Sequence, residues 1–539
     1  MDTQAPVHGE KQPVADAHHA ETTGVKEVKV QSVELTDAIA KDSPSYWSAS
    51  QIQLYGIMFF ATLNCCMNGF DGSVMSSINA MDQWHDYFNV AKTGSKIGLV
   101  MAIYTGGQIV GSFFSGWLTD TWGRRPGMAV GAAFIVIGSV VQVSAHNLAA
   151  FIGGRFLVGI GVPVSVTAAP TYLVEMAYPS WRGLAGGLYN VLGWYIGSLT
   201  ASWSSYGTAN INNNWSWRIP FIIQLVPAAF VLAFVWFIPE SPRWLFSKGK
   251  DEKALAVLAK FHGNENPDSA VVKLEAEEIK FSLQVVAELG SGAWWDYRCL
   301  VNNRPALYRM WIILLLSVFS QFVGGAVISY YMPTILETVG ITSSSQQLLL
   351  NGLNTVFSFV SGVLGSFFVD RFGRRPLLLW GFFLTGLVYI PLTVLAALAN
   401  GHISTSSGYA FIAMIFLYGV FASFCISPLQ ALYPAEILRN DYRAKGMAAQ
   451  SFIGAAASFI NMYATPIALG NIGWKTYVIF LVLHFVHWAL MYVVTVETKG
   501  RSLEELDEIF NDAKPVKRSK TFNKVVVSSG VGVKMSEPM

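Results

Sequence analysis

The chain has 539 residues, of which 53% are hydrophobic and only 13% are charged, and its formal net charge is +2. Ordinary soluble domains carry about 25% charged residues, so the composition excludes most soluble enzymes, and the small net charge provides no basic field for nucleic acid. The four Cys show no zinc-site spacing, and motifs of phosphate-binding loops or hydrolase nucleophiles are absent from the sequence. The composition indicates a membrane protein, and we expect no enzymatic activity, cofactor or metal.

Twelve apolar runs are long enough to cross a membrane, since a transmembrane helix needs about 20 mostly apolar residues. They lie at 53–78, 95–118, 127–146, 148–172, 183–205, 218–238, 309–336, 347–370, 376–399, 408–432, 447–469 and 475–496. The polar first 50 residues lack the apolar core of a signal peptide. We expect this N-terminal arm, which contains His18 and His19, to be disordered and to hold no metal, and we expect disorder again after about residue 512.

Lys and Arg are distributed unequally between the loops on the two sides of the predicted spans. Nineteen lie in one set of loops, ten of them between residues 239 and 309, and four lie in the opposite set. Because cytosolic loops are richer in basic residues, we expect both termini in the cytosol. The charged segment 239–307, with helical stretches at 251–262 and 268–289, separates spans six and seven.

Three motifs of the first six spans recur in the last six spans in the same order. They are GRR after span two, E-x6-R-G after span four and a Glu after span six, and their recurrences lie 250, 261 and 257 residues later. Parallel six-helix repeats are typical of alternating-access carriers. We therefore expect an all-α membrane protein of two six-helix bundles, 51–238 and 308–498. The arm 1–50, a cytosolic helical linker 239–307, and a C-terminal helix with a disordered tail at 499–539 complete the expected organisation.

Longer strings make the chain similar to the sugar porters of the major facilitator superfamily over about residues 50–510. D-x-x-GRR and E-x6-RG occur twice each, beside PESPRWL and ETKGRSLEELDEIF. NGFDGSVMSSINAM, PLQALYPAEILRNDYRAKGMA and GNIGWKTY most resemble the fungal lactose-permease and cellodextrin-transporter branch. The resemblance implies the major facilitator fold, a plasma-membrane location, function as a monomer, and uptake of a hexose or of a disaccharide of the lactose or cellobiose type.

Charged residues of both signs lie at the cytosolic ends of the spans. Exposed ion pairs contribute little to stability, but between two bundles they are partly dehydrated and can form networks. We expect them to close an inner gate when the carrier faces outward; alternatively, they only set topology and cap helix ends. The candidate gate residues are Asp120, Arg124, Arg125, Glu175, Arg182, Glu240, Arg243, Asp370, Arg374, Arg375, Glu436, Arg443 and Glu497.

Two charges lie inside the predicted spans, Asp71 in span one and Arg155 in span four. A charge at the bilayer centre costs at least about 2.5–3.5 kcal/mol, so both side chains should point into the bundle, where they can pair. In the proton-coupled members that the chain resembles, an Asp at this position takes the proton and an Arg responds to it. The alternative is a static ion pair that orients the two helices.

Several polar side chains of the spans suit a sugar, which needs amides and hydroxyls beside an aromatic platform. The candidates are Asn190, Trp194, Gln321, Tyr330, Tyr331, Asn354 and Asn461. By the resemblance, Gln321 matches the second Gln of the span-seven sugar motif, and Asn354 matches a sugar-binding Asn of span eight.

The chain departs from the family pattern at several of these positions. Ser320 replaces the first Gln of the span-seven motif, the later Asn is missing at Gly325 and Ala326, and Ala431 replaces the span-ten Trp. In span five, Val191 aligns as well as Asn190 with the usual Gln. A wider site for a larger sugar and a loss of ordinary sugar binding both explain these departures, and each single amide can instead make an ordinary interhelical hydrogen bond.

These features predict a sugar:proton symporter whose partners are sugar, protons and the lipid bilayer, with no nucleic acid. The alternatives are a passive uniporter and a transporter-like sugar sensor that moves little substrate. Asn214, Trp215 and Ser216 form a glycosylation sequon on the outer side. Its closeness to span six argues against modification.

Overall fold

The computed structural model describes residues 47–288, 297–325, 328, 336, 343–398, 405–439, 442–501, 503–520, 525–526 and 534–535. Most of the predicted N-terminal arm, with His18 and His19, lies outside the described residues, as do Tyr330 and Tyr331. The elements below are numbered in chain order.

The first half contains six long helices and one short helix. Their bounds are α1 Ala49–Ile78, α2 Asp82–Phe88, α3 Ser95–Trp122, α4 Arg124–Val143, α5 Leu148–Met176, α6 Arg182–Thr208 and α7 Trp215–Phe234. Short 3₁₀ turns at Pro179–Trp181 and Val235–Phe237 precede α6 and follow α7. Gly123 separates α3 from α4 with φ of 116°, a left-handed conformation that glycine adopts without steric cost.

The segment between the halves folds into helices that dock against the first half. They are α8 Pro242–Ser247, α9 Asp251–Phe261 and α10 Ala270–Glu288, followed by a 3₁₀ turn at Arg298–Leu300. The two stretches predicted to be helical, 251–262 and 268–289, therefore match α9 and α10 within two residues. The Gln51 amide of α1 donates to the Phe261 carbonyl over 2.6 Å and ties α9 to the bundle.

The long helices of the second half begin with α11 Arg304–Phe322 and continue with α12 Ser344–Phe372, α13 Arg374–Leu398, α14 Thr405–Cys425, α15 Leu429–Ile437, α16 Arg443–Ile472 and α17 Lys475–Val494. Two predicted spans are interrupted. Span seven, expected as a continuous run over 309–336, leaves the helix after Phe322, because Gly324 has φ of 76°. Span ten is split into α14 and α15 by a turn that contains Pro428, whose ring prevents a regular helical hydrogen bond.

The C-terminal part is more ordered than its polar sequence predicts. It contains α18 Leu503–Asn511, α19 Pro515–Arg518 and two short antiparallel strands, Val525–Val526 and Lys534–Met535. The expectation of disorder after about residue 512 is therefore wrong for residues 512–520. Ser519 is fully buried there, and its hydroxyl accepts a hydrogen bond from the Glu497 N–H over 3.2 Å, a contact that composition does not reveal.

Ten helices of the described residues are long and apolar enough to cross a membrane. The remaining two predicted spans are α1, with 30 residues, and α6, with 27. Both are long enough but more polar, because they carry side chains that face other helices, such as Asn64 and Asp71 of α1. Polar residues on spanning helices belong in the bundle interior, so the low hydropathy of α1 and α6 fits an inner position.

Glycines let the helices of the first half approach closely. A Cβ at Gly69 of α1 would lie 1.9 Å from the carbonyl oxygen of Trp194, and one at Gly107 of α3 would lie 2.3 Å from that of Phe156. Small residues at such crossings are typical of membrane helices, which pack by close van der Waals contact.

Hydrogen bonds join the two halves at one end, and a cavity lies between them toward the other. We call the end with Arg124, Arg182, Arg374 and Arg443 the Arg-rich end. At the opposite end the Asn351 amide donates to the Ser77 hydroxyl over 3.2 Å, and the Gly94 N–H donates to the Pro466 carbonyl over 3.3 Å. At the Arg-rich end a cavity of about 840 Å³ lies between the halves, lined by residues that include Ser112, Phe113, Met310 and Phe452.

Candidate transport site

The two intramembrane charges form a buried ion pair. Arg155 Nη1 lies 3.2 Å from Asp71 Oδ1, and the side chains are 1% and 0% exposed. α1 and α5 run in opposite directions, and each residue lies seven positions from the helix end opposite the Arg-rich end, which is about 10 Å at 1.5 Å per residue. The pair therefore lies in the part of the bundle where the two halves touch.

Two further side chains complete this pair, and both were missed in the sequence. The Gln224 amide of α7 donates to Asp71 Oδ1 over 3.0 Å, and the Arg155 guanidinium lies 5.0 Å from the ring centroid of Tyr104 on α3. Asp71 Oδ2 has no hydrogen-bond partner. A lone amide in the run FIIQLVPAAF was a usable signal for Gln224, since a polar residue in a spanning helix marks an inner contact. The pattern around Tyr104 does not distinguish it from other core aromatics.

The break after α11 is held by side chains of three other helices. The Tyr418 hydroxyl donates to the Val323 carbonyl over 2.8 Å, and the Tyr389 hydroxyl donates to the Gly324 carbonyl over 2.9 Å. The Asn461 amide of α16 donates to the Gln321 carbonyl over 2.6 Å. The Gly324 carbonyl also accepts from the Ile328 N–H over 3.1 Å, and together these bonds fix the backbone at the break. Discontinuous spanning helices commonly line substrate sites in transporters, so the break marks a candidate substrate region.

The structure brings together two of the predicted sugar ligands, Gln321 and Asn461. Asn461 is 2% exposed, and its carbonyl oxygen accepts from the Thr465 hydroxyl over 3.0 Å. Both ends of this amide are therefore occupied within the protein, which favours the ordinary interhelical contact over a ligand role.

Unlike Asn461, Asn354 has a side-chain oxygen that accepts no hydrogen bond from the protein. Its Oδ1 has no hydrogen-bond partner in the protein and points at α14, where a Cβ on Gly419 would lie 2.7 Å from it. A buried polar atom without a partner costs free energy unless a ligand or water satisfies it. Asn354 therefore keeps an acceptor for a ligand or a water molecule, and its role as a sugar ligand stays a prediction.

The span-five candidates lie on α6 and pack against α1 and their own helix. The Cys65 thiol lies 3.9 Å from Asn190 Oδ1, and the Trp194 ring meets that of Tyr195 edge-on, with centroids 5.0 Å apart. Both candidates are half-buried. The remaining two, Tyr330 and Tyr331, lie outside the described residues.

Charged side chains of the first half form one network at the Arg-rich end. Arg124 donates to both carboxylate oxygens of Glu175 over 3.0 Å and to Asp120 over 3.3 Å. The carboxylate of Glu240 accepts from the backbone N–H groups of Arg124 and Arg125, each over 3.2 Å. Burial raises the pKa of the Glu240 carboxyl, although these N–H groups oppose the shift. The carboxylate thus caps the positive N-terminus of α4.

The second half repeats this network. Arg374 pairs with Glu436 over 2.7 Å and with Asp370 over 2.9 Å, and the Glu497 carboxylate accepts from the N–H groups of Arg374 and Arg375 over 3.0 and 3.1 Å. A Cβ on Gly373, the counterpart of Gly123, would lie 2.8 Å from Glu497 Oε2. The glycine of the GRR motif therefore makes room for the capping carboxylate as well as for the turn.

The hydrogen bonds and ion pairs of the two charged networks connect residues of the same half. Among the described residues, no hydrogen bond or ion pair of these two networks joins the first half to the second. Arg125 donates to the Val235 carbonyl, Arg375 to the Tyr492 carbonyl and Arg443 to the Leu438 carbonyl, while Arg243 is exposed.

Arg182, the remaining gate candidate, binds the segment between the halves. Its Nη2 lies 2.8 Å from Glu275 Oε1 on α10, while Glu275 Oε2 lies 2.5 Å from Nδ1 of the buried His262. His262 Nε2 lies 3.1 Å from the Met176 carbonyl. Burial raises the pKa of the Glu275 carboxyl, but His262 and Arg182 outweigh that effect and hold it below its ordinary value. Glu275 and His262 were missed because the sequence does not show which linker residue reaches Arg182.

The sequon asparagine occupies the N-cap of α7. The Asn214 carbonyl accepts from the Arg218 N–H over 3.4 Å, and Ser216 of the sequon is fully buried. The Asn214 side chain makes no capping hydrogen bond, and the expectation against glycosylation, which rests on the closeness of the sequon to span six, stays a prediction.

Curated relatives match almost the whole chain. A high-affinity glucose transporter of Kluyveromyces lactis is 30% identical over 486 residues, with 87% of each chain covered. A quinate permease of Emericella nidulans is 28% identical over 495 residues, which is 89% of this chain and 92% of that one.

Solved structures share the fold. The E. coli proton:xylose symporter XylE bound to 6-bromo-6-deoxy-D-glucose has a TM-score of 0.69 and 25% identity, covering 85% of this chain and 99% of the other. An inward-open structure of XylE, 23% identical over the same shares, has a TM-score of 0.70 and supports the fold alone. The sequence model of the family described as "Sugar (and other) transporter" matches residues 57–510. The chain belongs to this family of sugar porters, multi-pass membrane transporters with the twelve-helix major facilitator fold.

Proposed function

We propose that this sugar porter is a proton-coupled uptake carrier in which Asp71 accepts the proton. The single observation that carries the proposal is the pair of Asp71 and Arg155, fully buried and 3.2 Å apart. Breaking a buried pair by removing one charge is strongly unfavourable, because the partner is left unpaired. A proton on Asp71 has that effect on Arg155, so protonation can bias the bundle between two arrangements.

The substrate fits best as a neutral, hydroxyl-rich molecule. Relatives include a glucose transporter and quinate permeases, and quinate, unlike glucose, carries a carboxylate. Among the described spanning helices, Arg155 is the only Lys or Arg more than five positions from a helix end, and Asp71 already neutralises it. Open amide groups such as Asn354 Oδ1 suit sugar hydroxyls. We therefore propose a hexose, or a disaccharide of the lactose or cellobiose type.

Alternating access supplies the transport cycle. The halves contact each other through Ser77 and Asn351 at one end and enclose the 840 Å³ cavity at the Arg-rich end. We place the Arg-rich end in the cytosol because its loops hold most of the Lys and Arg. In this orientation both termini are cytosolic, and the described conformation faces inward. We further propose the plasma membrane as the location, as expected of an uptake carrier.

The gate proposal follows from this conformation. In the inward-facing arrangement each charged network stays within its half, as the Arg124–Glu175 and Arg374–Glu436 pairs do. When the cytosolic ends of the halves approach, these partly buried charges meet across the interface and hold it closed. The alternative role, in which they only cap helices, remains open, and Glu240 and Glu497 do cap α4 and α13.

The test is uptake in cells that lack other sugar carriers. Labelled glucose, galactose, xylose, lactose, cellobiose and quinate are compared with and without a protonophore. Loss of accumulation with the protonophore supports symport, whereas unchanged uptake identifies a uniporter. Accumulation of quinate but not of sugars would reject the neutral-substrate proposal. Signalling without measurable uptake of any of them would identify a sensor.

A further inference from the structure

A half-buried amide lies one helical turn from the buried ion pair. Asn68 precedes Asp71 by three positions on α1, so the two side chains are neighbours on one face of the helix. The residues from Asn64 to Phe70 are otherwise buried, and Asn68 alone among them is half-buried. Asn68 lies ten positions from Ile78, which is about 15 Å from that end of α1. It is therefore nearer than Asp71 to the middle of the bilayer, where secondary transporters bind their substrates.

Asn68 is linked to the ion pair through Tyr104 of α3. The Tyr104 hydroxyl donates to Asn68 Oδ1 over 3.2 Å, and the centroid of the Tyr104 ring lies 5.0 Å from the Arg155 guanidinium. Arg155 in turn lies 3.2 Å from Asp71. Three successive contacts thus connect a half-buried amide to the acid that we propose as the proton acceptor.

Close packing of α3 against α5 sets the position of Tyr104. A Cβ at Gly159 of α5 would lie 2.2 Å from the Tyr104 carbonyl oxygen, so the two backbones are in contact there. Gly159 follows Arg155 by four residues and lies on the same side of α5. Tyr104 is buried. The ring is therefore held beside Arg155 by helix packing, while its hydroxyl reaches α1.

The side of α3 that carries Tyr104 leads into the cavity between the halves. Gln108 and Ser112 follow Tyr104 at intervals of four residues and lie on the same side of the helix. Ser112 lines the cavity of about 840 Å³, and Gln108 is half-buried like Asn68. Polar side chains of spanning helices face the bundle interior or a water-filled space rather than lipid. Both amides thus belong to the wall that continues this cavity toward the ion pair.

The NH2 group of Asn68 is the part of the side chain left for a ligand. Its oxygen accepts from Tyr104, and in the described part of the chain its nitrogen donates to no protein acceptor. Asn461 differs, since both ends of that amide bind protein groups. An amide held through its oxygen presents its N–H donors in a fixed direction, and such donors suit the hydroxyl oxygens of a sugar.

We propose that Asn68 and Gln108 bind hydroxyl groups of the substrate and that the Tyr104 hydroxyl couples this contact to Arg155. The inference rests on the proposed proton coupling at Asp71. With a proton on Asp71, the carboxylate no longer attracts Arg155, and the Tyr104 ring remains beside the guanidinium. A substrate hydroxyl bound to the Asn68 nitrogen fixes that amide and, through its oxygen, the Tyr104 hydroxyl. Substrate and proton then favour the same arrangement of Tyr104, so each binds more tightly when the other is present.

The test is the sugar affinity of the purified full chain as wild type, Asp71→Asn, Tyr104→Phe and the double variant. Labelled glucose and labelled lactose are the probes. Asparagine at position 71 is neutral like the protonated acid, so Asp71→Asn should bind the probe about fivefold or more tightly than wild type. Phenylalanine at position 104 keeps the ring beside Arg155 and removes only the hydroxyl. The gain in affinity should therefore disappear in the double variant.

Three further variants separate ligand contact from coupling. Asn68→Leu removes both the ligand donor and the acceptor of Tyr104, so it should weaken probe binding about tenfold and abolish the gain from Asp71→Asn. Gln108→Leu should weaken binding but keep the gain. Tyr55→Phe is the control, because Tyr55 is 37% exposed and packs against Trp181; both the affinity and the gain should match wild type.

The proposed function and this inference fail in different ways. Equal affinity of wild type and Asp71→Asn, or binding of neither probe, would overturn the proposed function and this inference together. A gain that persists when Tyr104→Phe is added overturns the inference alone, because a purely structural role of Tyr104 weakens binding equally with Asp or Asn at position 71. Unchanged affinity in Asn68→Leu overturns the ligand role of Asn68.

Discussion

Asp71 and Arg155 neutralise each other where water is excluded, with 3.2 Å between Oδ1 and Nη1. The Tyr104 ring supports the guanidinium, and Gln224 supports the carboxylate. Such a pair contributes little net stability, but removal of one charge costs about 3–5 kcal/mol because the other stays buried. Under the proposed coupling, a proton that moves onto Asp71 acts on Arg155 with enough free energy to change a two-state population by more than tenfold.

Asp71→Asn should abolish uphill transport. The amide preserves the shape of the side chain but cannot release a proton, so sugar flux can no longer follow the proton gradient. We expect accumulation to fall to the equilibrium ratio of inside to outside sugar, while sugar exchange between the two sides survives. Labelled uptake and counterflow in the same vesicles measure both quantities.

Asp82→Asn is the matched control for this substitution. Asp82 is 61% exposed, pairs with Lys92 over 2.9 Å and accepts from the Ser344 hydroxyl over 3.4 Å; the asparagine keeps an acceptor for Ser344 and removes a surface ion pair worth about 1 kcal/mol or less. Accumulation by this variant should equal that of wild type. Uphill uptake by Asp71→Asn at the wild-type level would remove Asp71 from the coupling mechanism.

Gly324→Ala should disrupt the break after α11. Gly324 has φ of 76°, which costs an L-residue about 1–2 kcal/mol, and the new Cβ would lie 1.9 Å from the Tyr389 hydroxyl. The hydrogen bond from Tyr389 to the Gly324 carbonyl cannot persist at that distance. We expect a lower melting temperature, and also weaker uptake, because the break marks the candidate substrate region.

Gly454→Ala provides the comparison, because it lies within α16 with no atom within 4 Å of the added Cβ. Alanine is the better helix former by about 1 kcal/mol, so this variant should be as stable as wild type or more so. If Gly324→Ala melts and transports like Gly454→Ala, the break does not require its present geometry.

Much of the fold was predictable, because the determining signals are local. Apolar runs predicted the spans, and the GRR and E-x6-R-G repeats predicted two related halves. Glu275 shows where this reasoning ends: its charge suggests an exposed linker face, yet it is 3% exposed between Arg182 and His262. Ser519 likewise appears as one more polar tail residue. Both positions depend on contacts over long sequence separations, which no local pattern encodes.

The site was predictable in part for the same reason. Asp71 and Arg155 are rare charges in apolar runs. The free-energy cost of placing an unpaired charge in a membrane implied that they pair. The partners of single amides carry no such constraint. Asn354 and Asn461 look equivalent in sequence, yet the first has an open oxygen and the second is bound to Gln321 and Thr465.

Arg182→Ala should slow turnover while leaving the half-saturating sugar concentration within a few-fold of wild type. The substitution releases α10 from α6 by removing the contact with Glu275, and it does not touch the candidate sugar site. Under the gate proposal Arg182 also helps to close the Arg-rich end in the outward-facing arrangement, so a fluorescence reporter across that end should show a larger inward-open population. Unchanged turnover and population would support a role in topology alone.

Glu275→Gln should reproduce the effect of Arg182→Ala, since it removes the other charge of the same pair. The double variant should then be no worse than either single variant, as expected of residues that act together. Arg443→Ala is the control: Arg443 donates to the Leu438 carbonyl in the other half, so its effect should add to that of Glu275→Gln.

The docking of α10 should weaken in acid. The pKa of Glu275 lies below its ordinary value in the folded chain, so the carboxylate contributes stability that is fully present above the unfolded pKa, about 4.3. This contribution is lost as the pH falls through the lower folded pKa. The melting temperatures of wild type and Glu275→Gln should therefore differ at pH 7 and converge below about pH 4. A difference that is constant down to pH 3 would contradict the assignment.

Asn354→Ala and Asn461→Ala should separate a ligand amide from a structural one. Asn354 has an unpartnered oxygen facing α14, so its loss should leave one sugar hydroxyl unpaired and cost about 1–3 kcal/mol of binding. That corresponds to about a tenfold or greater rise in the half-saturating sugar concentration, with the melting temperature nearly unchanged.

Asn461 holds the Gln321 carbonyl at the break over 2.6 Å, so its loss should mainly lower the melting temperature. Gln321→Ala should raise the half-saturating concentration as Asn354→Ala does. Equal loss of stability in all three variants would assign these amides to packing and leave the sugar ligands to be found elsewhere in the bundle.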